Sequence, residues 1–386
     1  MSLYLLLCLA AFGGGMVHAL VITGWKDTFA KGWRNGDVAA AAEPQQVSVV
    51  VPARNAGETL TPLLQDLHAQ AWPKEMLEVL VVNDGSTDGT AALVRSMART
   101  WPGLRLIECT GEGKKAAITQ GVAEARGEWV VLTDADARCG PGRVRAIMDC
   151  VAAQAPGLLL MPVATIGTEG VLQALQAEEQ AALMGMAAGT GLQGAPMLAN
   201  GANMAFRRSA FQAVGGYAGE KWASGDDVFL LRRMLKTGRK VHYLLQPEVL
   251  VRVEAERGFR AFWRQRLRWA GKMRGVGGAW KWVAMAGLLW PWFLLFVTGA
   301  FGVRDRMAQN FGASLMLLTT AWLLWLLPIT ALVREVHRFQ NAAGATAPPR
   351  LGVLRCTLGY AAFHLYAPVI AAASLVVRPK WKGRRV

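Results

Sequence analysis

"VVLTDADARCGPG", residues 130–142, sets an apolar run against two carboxylates. Val130, Val131 and Leu132 have the composition of a buried strand. Asp134 and Asp136 emerge at its tip with only Ala135 between them. Two like charges there form either an ordinary acidic turn or a holder for something strongly positive. The surrounding chain favours the holder. "VSVVV" (47–51), "LEVLVV" (77–82) and "LRLIEC" (104–109) are further apolar strands, separated by helical patterns at 58–70, 90–100 and 114–125. In the first of those helices Leu60, Leu63, Leu64 and Leu67 share one face. Strands alternating with helices predict an α/β domain whose parallel sheet is covered on both faces. Ligands of such sheets bind beyond the carboxyl ends of the strands.

Three strand ends carry polar groups. "PARNAGE" (52–58) follows the first strand and offers Pro52, Arg54, Asn55 and Glu58. "NDGSTDGT" (83–90) follows the second and offers Asp84; "TDADA" follows the fourth. Asn-Asp-Gly-Ser alone is turn chemistry. Three carboxylates at one sheet edge of a basic chain ask for more. An aspartate can accept hydrogen bonds from a planar base. A carboxylate pair can hold Mg²⁺ or Mn²⁺, with substrate phosphates completing the coordination. Such an ion offsets diphosphate charge as a bond breaks.

The chain has 386 residues, a net charge of +15 and a mean hydropathy of +0.25. Residues 1–25, 282–303, 307–333 and 356–377 come close to bilayer length without a Lys, Arg, Asp or Glu. The first reads as an uncleaved anchor rather than a signal peptide. It has no charged n-region beyond the terminal amine and no clear small-x-small cleavage site. The expected organisation is an anchor at 1–25, a linker at 26–46, the α/β domain at 47–256, an amphipathic segment at 257–281, membrane helices at 282–377 and a basic tail at 378–386. Basic residues gather beside the spans, at 257–274, 334–355 and 378–385. That points to anionic headgroups and cytosolic loops of a plasma (inner) membrane protein, not to nucleic acid. The five cysteines show no CxxC spacing and read as reduced thiols.

Taken in order, six segments resemble the family 2 glycosyltransferases, inverting enzymes of the GT-A fold. They are "VVVPARNAGE", "VVNDGSTDGT", "GEGKKAAITQGVAEARGEWVVLTDADA", "GANMAFRRSAFQAVGGY" (201–217), "SGDDVFLLRRMLKTG" (224–238) and "QRLRW" (265–269). The last fits the Gln-x-x-Arg-Trp motif of membrane-embedded members. In motif style the chain is similar to ceramide-glucosyltransferase-type and related processive-type bacterial enzymes.

The resemblance implies a nucleotide-diphosphate donor, a UDP-sugar by preference, and a divalent ion. It implies Asp84 at the base, Lys114 near the nucleotide with Lys115 beside it, and Asp134 on the sugar or diphosphate. Asp136 becomes the principal metal ligand. Asp227, next to Asp226, becomes the general base. Gln265, Arg268 and Trp269 contact the donor diphosphate and close the acceptor site. Inversion by one displacement needs one base. Asp226 and Asp227 point about 100° apart in a helix, so one of them faces the acceptor. As adjacent like charges, at least one is expected to ionise less readily than usual.

Within 257–274, Phe262, Gln265, Trp269 and Lys272 fall on one helical face with Arg268 beside them. Arg260, Arg264 and Arg274 face largely elsewhere, towards lipid phosphates. Two acceptors compete: a lipid hydroxyl, or a growing polysaccharide threaded through the spans. A narrow four-span bundle and the "SGDD" context favour the lipid. A non-catalytic scaffold would be expected to lose a metal aspartate or the base.

Lys26, Lys31 and Arg34 after the first span put the amino terminus outside and the α/β domain in the cytosol. Three further crossings leave a basic tail outside. A re-entrant "WPWFLLF" (290–296), turning at Pro291, would bring it in. Three full crossings is the reading adopted.

Overall fold

The computed structural model describes residues 3–36, 41–167, 170–220, 225–273, 280–304, 311–345, 352–377, 380–381 and 384–385. Helix α1 (Leu3–Asn35) leads into β1 (Val47–Ala53), α2 (Leu60–His68), β2 (Leu77–Asn83), α3 (Thr90–Ala98), β3 (Leu104–Glu108), α4 (Lys114–Glu124) and β4 (Trp129–Leu132). There follow β5 (Arg138–Cys139), α5 (Arg143–Gln154), β6 (Leu158–Leu160), β7 (Val163–Ile166), α6 (Val171–Leu192), β8 (Met204–Arg207) and α7 (Arg208–Ala213). The chain continues through α8 (Asp226–Lys236), β9 (Val241–Tyr243), β10 (Val251–Glu254), α9 (Phe259–Met273), α10 (Trp280–Arg304), α11 (Phe311–Ala342) and α12 (Gly352–Val376).

Seven strands form the main sheet in the order β3-β2-β1-β4-β8-β6-β9. The first four are mutually parallel, and β8 runs antiparallel to β4 and β6. The continuous valines of β1 and β2 follow from burial on both faces. Val50, Leu80 and Val82 enter one core layer, and Val49, Val51, Val79 and Val81 the other. Leu60, Leu63, Leu64 and Leu67 of α2 all lie buried in the second layer, so the apolar stripe read from the sequence is the packing face.

The first layer runs without a break into the membrane helices, taking in Ile22 and Phe29 of α1 and Ile329, Leu332, Val336 and Phe339 of α11. Charges after residue 25 end the apolar stretch but not the helix. Phe29 is fully buried and meets Phe339 edge-on at 5.8 Å. Trp33 Nε1 donates to Glu335 Oε1 (3.0 Å), and Arg34 pairs with the same oxygen (2.5 Å). The segment expected as linker is therefore helical as far as Asn35 and docks on α11. Helix α6 is the shelf beneath. A Cβ at Gly189 would lie 2.5 Å from Trp25, and one at Gly185 would lie 2.8 Å from Leu332. The small residues let three helices approach closely.

Helices α1, α11 and α12 are long and apolar enough to cross a membrane, and α10 holds a shorter apolar stretch, Ala284–Ala300. Helix α10 runs unbroken through Pro291. Tyr4 donates to Val297 O, and Gly14 abuts Trp290, so α10 lies antiparallel to α1. Gly15 meets Ala321 and Phe29 meets Phe339, so α11 runs parallel to α1. Arg355, near the start of α12, pairs with Glu178 of α6 (3.1 Å). The start of α12 therefore lies against α6, the helix on which α1 and α11 also pack. All five cysteines carry free thiols.

Candidate active site

The turns after β1 and β2 are sewn together. Arg54 Nη1 donates to Asp84 O (2.7 Å), the Asn55 N–H donates to Ser86 Oγ (3.0 Å), and the Thr87 N–H donates to Asn55 Oδ1 (2.8 Å). Asn55 adopts φ +46° and Gly85 φ +62°. Asparagine tolerates the left-handed region because its short polar side chain bonds locally. Pro52 sits in β1 opposite Val82, whereas Glu58 is exposed in the following turn. Asp84 is buried, and its Oδ1 accepts the Gly113 N–H (3.0 Å). That bond fixes the loop from which α4 starts, with Lys114 as its first residue.

Lys114 is the hub. Its Nζ lies 2.7 Å from Asp134 Oδ1, at the end of β4, and 3.0 Å from Asp226 Oδ2, at the start of α8. Burial disfavours its charge, but the two carboxylates more than compensate and hold the ammonium well above the usual lysine range. Burial likewise pushes the Asp226 carboxyl up, and Lys114, with Lys272 further off, outweighs it and holds the group below its ordinary value. The adjacent aspartates had suggested weaker ionisation; at Asp226 the counter-ion reverses that expectation. Gly201 makes the contact possible, since a Cβ there would lie 2.5 Å from Asp226 Oδ2 and 3.0 Å from Lys114 Nζ. The "GANMAF" stretch was legible as a segment, but the need for glycine arises from a neighbour 25 residues on.

Asp227 faces a different cation. Its Oδ1 accepts the Val228 N–H (2.7 Å), and Lys272 Nζ lies 3.2 Å from Oδ1 and 3.0 Å from Oδ2. Lys272 belongs to α9, the helix of the Gln-x-x-Arg-Trp motif. On that helix Arg268 is half-buried; burial disfavours its charge while Glu256, Asp134 and Asp136 favour it. Arg268 thus lies within electrostatic reach of the two strand-end carboxylates. Gln265 is held by Glu256 Oε1 (3.1 Å) and by Arg266. Trp269 lies under the Arg266 guanidinium, 4.2 Å from the ring centre.

Arg266 went unnoticed in the sequence, where it is one of many basic residues in 257–274. It is buried, pairs with buried Glu179 of α6 at 2.5 Å, and also stacks on Phe262 at 4.7 Å. Arg260 and Arg264 are exposed, as the helical spacing implied, and Arg274 lies outside the described residues. Arg266→Ala strands a buried carboxylate, which costs about 3–5 kcal/mol. The expected result is a markedly lower unfolding midpoint for the solubilised protein. Arg266→Met combined with Glu179→Gln recovers most of it. An unchanged midpoint in Arg266→Ala removes the anchoring role.

Asp134 and Asp136 supply hard oxygen donors at one strand end, Asp134 half-buried and Asp136 exposed. Two carboxylates do not cage a cation, but they suit a divalent ion whose other ligands are phosphate oxygens and water. The residues therefore fit Mg²⁺ or Mn²⁺. Glu178, His337 and Cys356 form a second group with metal-ligand chemistry, buried between α6, α11 and α12. Arg355 and His337 already pair with Glu178 there, which makes it a joint between helices.

A mixed sheet that gathers Asp84, the Asp134–Asp136 pair and an acidic helix start near its carboxyl edge has the architecture of the GT-A type. Residues 48–215 match the family described as Glycosyl transferase family 2. Beta-monoglucosyldiacylglycerol synthase of Synechocystis is 28% identical over 269 residues, 66% of this chain and 53% of that protein. Probable glycosyltransferase YdaM of Bacillus subtilis is 25% identical over 237 residues, 59% and 55% of the two chains. The chain thus spans about half the length of these curated relatives. Among solved structures, mannosyltransferase PcManGT of Pyrobaculum calidifontis, in complex with GDP-Man and Mn²⁺, is similar in fold. Its TM-score is 0.54 at 22% identity, over 97% of this chain and 98% of that one.

Proposed function

We propose that this chain is an inverting membrane glycosyltransferase that moves a sugar from a nucleotide-diphosphate donor, a UDP-sugar, to a lipid hydroxyl at the cytosolic membrane face. The observation that carries the reading is the Lys114 bridge. It ties the donor-side Asp134 (2.7 Å) to the acidic pair through Asp226 (3.0 Å). Donor and acceptor halves of one site are thereby fixed to each other. Asp84 and the turn at Arg54 and Asn55 receive the base, with Pro52 and Glu58 bordering it. Arg268 adds a planar fork for diphosphate oxygens. Gln265 and Trp269 shape the same wall. Mg²⁺ or Mn²⁺ on Asp136 and Asp134, when bound, offsets charge on the departing diphosphate. Asp227 accepts the proton of the acceptor hydroxyl as its oxygen attacks the anomeric carbon, and the bond to the nucleoside diphosphate breaks. One displacement inverts the centre. The lipid acceptor draws support from the named activity of the Synechocystis relative and from the membrane helices packed on the catalytic core.

The domain limits follow the same reading: a GT-A unit over 47–256, the motif-bearing segment 257–281, and membrane helices before and after. The orientation with 342–355 in the cytosol accepts a basic outer tail.

The test incubates membranes containing the protein with radiolabelled UDP-glucose, UDP-galactose, UDP-N-acetylglucosamine or GDP-mannose, plus Mg²⁺ or Mn²⁺, and extracts lipids. The expected product is a lipid carrying one or a few sugars from a UDP donor. A long water-soluble polymer makes the chain a polysaccharide synthase instead. Transfer from none of the four donors favours a scaffold.

A further inference from the structure

We infer that Lys272 is a positioning residue for the Asp227 base, so that the helix which meets the donor also sets the proton acceptor. This rests on the reading of Asp227 just given. The two side chains come from elements 45 residues apart and meet at 3.0 and 3.2 Å. Both are largely withdrawn from water, with side-chain exposures of 16% for Lys272 and 10% for Asp227. A buried charge of either sign needs its partner, so the pair is held rather than incidental.

The hydrogen-bond pattern is directional. Oδ1 of Asp227 takes both the Val228 N–H and Lys272, whereas Oδ2 takes Lys272 at 3.0 Å. Each carboxylate oxygen offers two lone pairs, so Oδ2 keeps acceptor capacity for a hydroxyl proton while the carboxylate plane is fixed. The pair keeps that base aimed, and orientation errors of about 1 Å cost about 100-fold in rate.

Helix α9 adds the coupling. Lys272 stands one turn beyond Arg268, the residue drawn towards Asp134 and Asp136. Upstream, Arg266 and Glu179 seat the helix. One rigid rod therefore carries a cation for the donor end and a cation for the base. Asp226 has its own lysine, Lys114, so each member of the acidic pair is assigned to a separate counter-ion.

The experiment compares Lys272→Met, Lys272→Arg and Asp227→Asn in full-length protein, with whichever of the four donors the wild type turns over fastest. Lys272→Met is expected to lower kcat about 10- to 100-fold and leave donor KM within about threefold. Lys272→Arg, which keeps charge and reach, is expected to recover most of kcat. Donor binding retained in Lys272→Met shows that the variant folds. Wild-type kcat in Lys272→Met, beside a dead Asp227→Asn, overturns the positioning role alone. Equal losses in Met and Arg variants with donor KM raised tenfold or more also overturn it, and make Lys272 a packing residue of α9. Full turnover in Asp227→Asn instead overturns the base assignment, and the proposal with it.

Discussion

Asp227→Asn is expected to lower kcat by about three orders of magnitude while donor KM stays within about threefold. The amide keeps the size of the carboxylate and loses its basicity. Its carbonyl oxygen can still accept from Lys272, so the local geometry survives. In the proposed site the donor contacts lie on the other side of the Lys114 bridge, which touches Asp226 and not Asp227. Asp226→Asn is expected to act differently. It removes the charge that, with Asp134, holds Lys114, so donor KM rises and kcat falls by about tenfold. Initial rates against donor concentration separate the two patterns. If Asp226→Asn is dead and Asp227→Asn retains turnover, the base is Asp226.

Much of this site was legible because parallel-sheet geometry is written in local patterns. The valines of 47–51 and the leucines of 60–67 announce burial by their spacing, and sheet order then brings Asp84 and Asp134 to one edge. What stayed hidden depends on pairs distant in sequence. Helical spacing puts Lys272 on the motif face of α9, but nothing local names its partner, Asp227, which lies 3.0 Å away and 45 residues back. Arg266 looks like a headgroup arginine, yet it is buried against Glu179 because α6 presents that carboxylate to α9. The anchor looked finished at residue 25 because charge was taken as the end of a span. The helix goes on because Phe29 and Trp33 find Phe339, a partner some 300 positions away.

Asp136→Ala is expected to reduce transfer by about a thousandfold with little effect on stability. The carboxylate is exposed at a strand end beside Asp134, and two like charges there do not strengthen the fold. Surface changes of that kind move stability by about 0.5 kcal/mol or less. A divalent ion contributes several kcal/mol where charge develops on a leaving diphosphate, and about 1.4 kcal/mol corresponds to tenfold in rate. Asp134→Ala should be less selective. It also frees Lys114 from a 2.7 Å partner and so disturbs Asp226 at 3.0 Å on the far side of the bridge. EDTA should mimic Asp136→Ala in the wild type, and Mn²⁺ or Mg²⁺ should restore the wild type but not the variant. Full activity in EDTA-treated wild type, or in Asp136→Ala, would show that the strand-end pair serves the donor without a metal.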